Sequence, residues 1–184
     1  MNHEGDMSGL DNFEVTNLHA ELDQEPSEIT HARAEVEQIA DKLGNPVDEA
    51  IKETVVAFLA SDIPTSGSCE GHLDRGTPYP WVEVYAPAPE GWKESEQKQN
   101  EWRQANQALR STMQGLLDEF YRNQTFDTES RLRMADIGAF GAYRIQGPTE
   151  STGDERPIEA GLTRHRQEIN NFARFLLSKK RESS

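Results

Sequence analysis

The chain has 184 residues, 34% hydrophobic and 28% charged, with a formal net charge of −14 and a single cysteine. That length suits one domain of ordinary size with a tail and leaves little room for two. A lone cysteine rules out an internal disulfide, the acidity argues against bulk DNA binding through counterion release, and no stretch reaches the ~18 apolar residues that a membrane span needs.

Residues 1–49 carry 13 acids against Arg33 and Lys42, whereas residues 50–184 hold 20 acids and 17 bases. The body is therefore near balance, and the leader carries the charge. Residues 1–26 contain seven acids and no Lys or Arg. They read as a disordered acidic leader, which leaves 27–184 as a single α+β domain. The opening Met1-Asn2-His3-Glu4 lacks the basic and apolar parts of a signal peptide, so a cytoplasmic location with a reduced Cys69 is expected.

From Ser27, a suitable N-cap, the residues Ile29, Ala32, Val36, Ile39 and Leu43 recur at helical spacing, and Gly44 ends the predicted helix. Asn45-Pro46 starts a second helix, with Val47, Ile51, Val55, Phe58 and Leu59 as its stripe. Ser66–His72 is too rich in Gly and Ser for helix and reads as a loop before the strand Pro80–Tyr85. A long helix follows, with Trp102, Ala105, Leu109, Met113, Leu116 and Phe120 on one side. Arg131–Ile137 and Phe140–Gln146 predict a hairpin turning at Gly138. The last helix starts at Pro157 and carries Ile158, Leu162, His165, Ile169, Phe172 and Leu176. The order predicts an antiparallel or mixed sheet of about four strands covered by helices.

Chemistry concentrates in Thr65-Ser66-Gly67-Ser68-Cys69-Glu70-Gly71-His72. Ser66 and Ser68 can donate to oxygens, Glu70 can accept from a base or hydroxyl, and His72 can move a proton near neutral pH. Gly71 permits a positive φ and a close backbone approach. The candidate catalytic residues are Cys69, Glu70 and His72. The candidate ligand-binding residues are Thr65, Ser66, Ser68, Gly71, His72, Trp81, Arg144 and His165, with the glycine-rich Asp136–Arg144 run as an opposite wall. The plain alternative is a tight turn whose Ser and Glu side chains bond the backbone around a small buried Cys69.

A nucleophilic Cys69 needs a lowered pKa, and with no helix beginning after it only His72 or Arg75 can supply that. Cys69 and His72 form a C-x-x-H pair, but the remaining zinc ligands must come from afar, so no metal is expected. A small anionic or nucleotide-like ligand needs only what the segment holds. Arg131, Arg133 and Arg144, with Arg164, Arg166, Arg174 and the C-terminal basic residues, are either a local phosphate or RNA patch or a solvated face balancing nearby acids. In the rival reading, the acidic leader and helix 27–43 engage a basic protein partner and the motif is structural.

The segment resembles a Thr-x-x-Ser-Cys-Glu/Gln-Gly-His signature of small uncharacterised bacterial and phage proteins, where it likewise lies between a helix and an extended segment. More distantly, it is similar to the Ser-Ser-Cys-Ser-Gly-Arg motif of the tRNA wybutosine-synthesising methyltransferase family. Ser68, Cys69 and Gly71 match that motif, while Glu70 stands for Ser and His72 for Arg. The resemblance implies an S-adenosylmethionine-dependent RNA-modifying enzyme.

Overall fold

The computed structural model describes residues 25–41, 43–74, 78–122, 131–148 and 158–183. Most of the expected acidic leader and Pro157 lie outside the described residues. Helix α1 (Ser27–Val36) buries Ile29, Ala32 and Val36. It is shorter than the spacing predicts, with Ser27 as its first residue and Pro26 at the cap. The cause is Asp41, whose Oδ1 accepts the Leu43 and Asn45 N–H groups at 2.8 Å each, and whose Oδ2 accepts from Asn45 Nδ2 at 2.9 Å. A short carboxylate offering local bonds favours a turn over helix. Leu43 consequently stands 87% exposed.

That turn also delays the second helix. Pro46 forms a bridge with Ala40, and α2 (Glu49–Ala60) begins with Asp48 at the cap position. Helix α2 is buried nearly all round, through Ile51, Val55, Val56, Ala57 and Phe58, and packs against both α1 and α4 (Ile158–Ser183). Helix α3 (Glu96–Tyr121) is capped by Ser95 Oγ, which accepts the Lys98 N–H at 3.3 Å.

Strands β1 (Thr65–Cys69), β2 (Trp81–Val84), β3 (Arg133–Ile137) and β4 (Ala142–Gln146) form one antiparallel sheet in the order β1-β2-β4-β3. The α+β architecture expected from the sequence is the one observed. Val82, Val84, Tyr143 and Ile145 join a core with Met113, Phe120, Ile169 and Phe172 from the helices. The first half of the motif is strand, not loop. Gly67, beside a bulge, lies under the Trp81 ring, whose nearest atom would be 3.5 Å from an added Cβ. A cross-strand aromatic thus supplies the cover a glycine lacks. No described helix is long and apolar enough to cross a membrane.

Candidate functional site

Beyond β1 the chain turns sharply. Gly71 holds φ +79°, and an added Cβ would lie 2.8 Å from both Leu162 Cδ1 and the Tyr79 carbonyl carbon. Only glycine fits there. Arg166, on α4, clamps the turn from behind. Its Nε donates to the Glu70 carbonyl at 2.8 Å, and its Nη2 donates to the Gly71 carbonyl at 2.7 Å and to Glu70 Oε1 at 3.4 Å.

The motif and the start of α2 exchange carboxylates. Glu70 Oε2 accepts the Ala50 N–H at 2.9 Å, satisfying a first-turn donor of α2. Asp48 occupies the cap position of that helix but makes no side-chain cap bond to it. Its Oδ2 instead accepts the Glu70 N–H at 3.2 Å and lies 3.5 Å from His72 Nε2. His72 Nδ1 lies 4.0 Å from Glu70 Oε1. Cys69 Sγ accepts the Gly71 N–H at 3.4 Å.

A cleft of about 960 Å³ runs between β1 and the segment leading into α2. Thr65, Ser66, Gly67, Ser68 and His72 form one wall, and Asn45, Asp48 and Lys52 stand among the residues opposite. Four carboxylates, Glu35, Asp41, Asp48 and Glu49, line it against the Lys52 ammonium and His72 among the described residues. Bonds from Asn45 hold the Asp41 carboxyl below the usual carboxylate range. Bonds to Glu37 and Glu49 hold the Lys52 ammonium above its ordinary value.

The other predicted site residues lie elsewhere. Trp81 and Arg144 meet on the sheet face turned away from the core, with the guanidinium 3.9 Å from the ring centroid. Arg144 also pairs with Glu83 at 3.4 Å, and Glu83 accepts from Ser66 Oγ at 2.8 Å. That chain links Ser66 to Trp81 through charge but brings neither Trp81 nor Arg144 into the cleft lining. The Asp136–Arg144 run forms the β3–β4 turn at the far side of the sheet and is not the opposite wall.

His165 is buried, with its ring 4.6 Å from that of Tyr79, and its Nδ1 has no hydrogen-bond partner among the described residues. An added Cβ on Gly147 would sit 1.9 Å from that nitrogen, so the imidazole fills the space above a glycine. Burial, and then the charge of Arg164, hold its pKa below the ordinary value. Helix α4 thus backs the motif through Arg166, while His165 itself packs on Tyr79.

Arg131 and Arg133 line a separate cavity of about 660 Å³, together with Arg110 and Arg122. Arg110 is ion-paired with Asp136, and Arg131 stacks on Tyr121.

Sequence reasoning missed Asp48 and placed Arg166 only in a general group of basic residues, apart from the motif. Asp48 falls inside the helix expected to start at Asn45-Pro46, where nothing in the sequence marks another use. Arg166 is 96 residues from Glu70, and nothing in its spacing marks it. Comparison with known proteins finds no match among protein families, curated proteins or solved structures.

Proposed function

We propose that the cleft beside β1 binds a small nucleoside-like ligand through neutral and cationic groups. The carrying observation is the cleft itself, about 960 Å³ in volume and walled by Thr65–Ser68 and His72. That volume suits a small organic molecule. The hydroxyls of Thr65, Ser66 and Ser68 and the amide of Asn45 supply donors and acceptors for a sugar or base edge. The carboxylate lining repels a free phosphate, which revises the expectation of an anionic ligand toward the uncharged part of a nucleotide-like one.

The same lining favours a second reading, S-adenosylmethionine, whose ammonium and sulfonium would meet Glu35, Asp41 and Glu49. This reading carries the methyltransferase resemblance forward and leaves an RNA substrate as its further consequence. The adaptor reading has less support, because the apolar side of α1 (Ile29, Ala32 and Val36) is buried in the protein's own core.

Calorimetric titration of the full chain with adenosine, adenosine monophosphate and S-adenosylmethionine tests both. Adenosine or S-adenosylmethionine is expected to bind more tightly than the monophosphate. Reversing charge with Glu35→Lys and Glu49→Lys, at two exposed positions, should weaken S-adenosylmethionine and strengthen the monophosphate. Tighter binding of the monophosphate by the unmodified protein, or no heat with any of the three, would defeat the proposal.

A further inference from the structure

We infer that Asp48, Cys69 and His72 bind a zinc-like divalent cation at the edge of the cleft. One donor atom from each, the Asp48 carboxylate oxygen, Cys69 Sγ and a His72 ring nitrogen, lies within 4.8 Å of the others. All three residues are partly shielded from solvent. Zinc–sulfur and zinc–nitrogen or –oxygen bonds of about 2.3 and 2.0–2.1 Å place tetrahedral donors about 3.3–3.6 Å apart. His72 Nε2 and Asp48 Oδ2, at 3.5 Å, already have that separation. The longest gap must close by roughly 1 Å, which side-chain rotation supplies.

The donor set selects the metal class. Magnesium and calcium take oxygen ligands, while one thiolate, one imidazole and one carboxylate suit zinc and its neighbours in the first transition row. Three protein donors leave a fourth position open. Asp48 and His72 line the cleft, so that position faces it.

Two of the donors already accept a backbone hydrogen bond, Cys69 Sγ from Gly71 and Asp48 Oδ2 from Glu70. The Gly71 N–H points at Cys69 Sγ from 3.4 Å, where it disperses thiolate charge. With His72 Nε2 toward Asp48, Nδ1 lies 4.0 Å from Glu70 Oε1, so a shift of about 1 Å would let that carboxylate orient the imidazole from outside. Glu70 is itself fixed by Arg166 and by the Ala50 N–H. Because Glu70 satisfies the Ala50 donor, the Asp48 carboxylate is left facing His72 and Cys69 instead of its own helix.

The inference goes beyond the organic-ligand reading and does not need it, since the probe is the metal alone. Full-length protein stripped with a chelator would be titrated with cobalt(II), then with zinc(II). One equivalent of cobalt should bind with a thiolate-to-cobalt charge-transfer band, and zinc should displace it. Cys69→Ser should abolish the band. Asp48→Asn and His72→Gln should each weaken binding by more than the roughly 10–100-fold that loss of an outer-shell partner costs. His165→Gln should leave it unchanged.

Zinc should also slow alkylation of Cys69 in the unmodified protein, a readout that survives if a variant fails to fold. Absence of the band at saturating cobalt, or a band undiminished in both Asp48→Asn and His72→Gln, would overturn the site. Neither result bears on calorimetric heats with adenosine in metal-free buffer, so the two proposals fail separately.

Discussion

Glu70 caps a helix that begins before it in the chain, its Oε2 accepting the Ala50 N–H at 2.9 Å across a sequence separation of 20. The residue placed to do this, Asp48, turns its carboxylate to the Glu70 N–H instead. The two acids therefore hold the end of β1 and the start of α2 together, Glu70 by accepting the Ala50 N–H and Asp48 by accepting the Glu70 N–H.

Glu70→Ala should accordingly destabilise the fold, although a purely ligand-facing side chain would leave the melting point unchanged. The loss is expected at about 1–2 kcal/mol, the scale of a lost helix cap, with Arg166 also losing one partner. Urea unfolding of Glu70→Ala and of His72→Ala separates the two roles. An unchanged midpoint for Glu70→Ala would mean that these bonds add no net stability.

Gly71 and Gly138 both hold positive φ, +79° and +65°, but only Gly71 is crowded. Alanine at 138 meets open space and should cost about 1 kcal/mol from backbone strain alone. Alanine at 71 adds a collision with the Tyr79 backbone and Leu162, so its loss should exceed that of Gly138→Ala by roughly 1–3 kcal/mol. Equal losses in chemical denaturation would contradict the packing described.

Asn106 is fully buried. Its Oδ1 accepts the Ala86 N–H at 2.8 Å, and its Nδ2 donates to the Trp102 and Phe140 carbonyls at 3.1 and 2.9 Å. Asn106→Ala should cost about 3 kcal/mol, as three backbone groups lose their partner. Asn106→Asp should be worse near neutral pH, because a carboxylate would face two carbonyl oxygens. It should recover stability in acid, where the carboxyl regains a proton to donate. Denaturation of both variants across pH checks the order.

His165 gives the native state a pH dependence of definite sign. Burial depresses its folded pKa, while the unfolded chain takes up the proton near the ordinary value of about 6.5. Its contribution is therefore present above about 6.5 and lost as pH falls from there through the depressed folded value. Between about pH 8 and about pH 5.5, the unmodified protein should lose more stability than His165→Gln does. A parallel loss in both would show that His165 takes up its proton equally in the folded and unfolded chains.

Long periodic stripes made the α3 and α4 helices legible, since Met113, Phe120, Ile169 and Phe172 enter the core at the spacing the sequence shows. The alternation of Val82 and Val84 with Trp81 and Glu83 likewise marked a half-buried strand. The shortening of α1 was hidden because Ile39 and Leu43 continue its stripe, while the turn at Asp41 depends on bonds to Leu43 and Asn45 that compete with helix. At the site, the motif could be found by composition. Its partners could not, because Asp48 and Arg166 matter through proximity created by the packing of α2 and α4.

The order β1-β2-β4-β3 gives the motif strand a neighbour on one side only, and its register with that neighbour slips at the bulge between Thr65 and Gly67. Strain applied to β1 therefore passes into the sheet through a single ladder, already interrupted at its first pair. The two remaining pairings, of β2 with β4 and of β4 with β3, can keep their register while the cleft wall shifts. The protein thus carries its densest chemistry on the part of the sheet whose adjustment disturbs the rest of the molecule least.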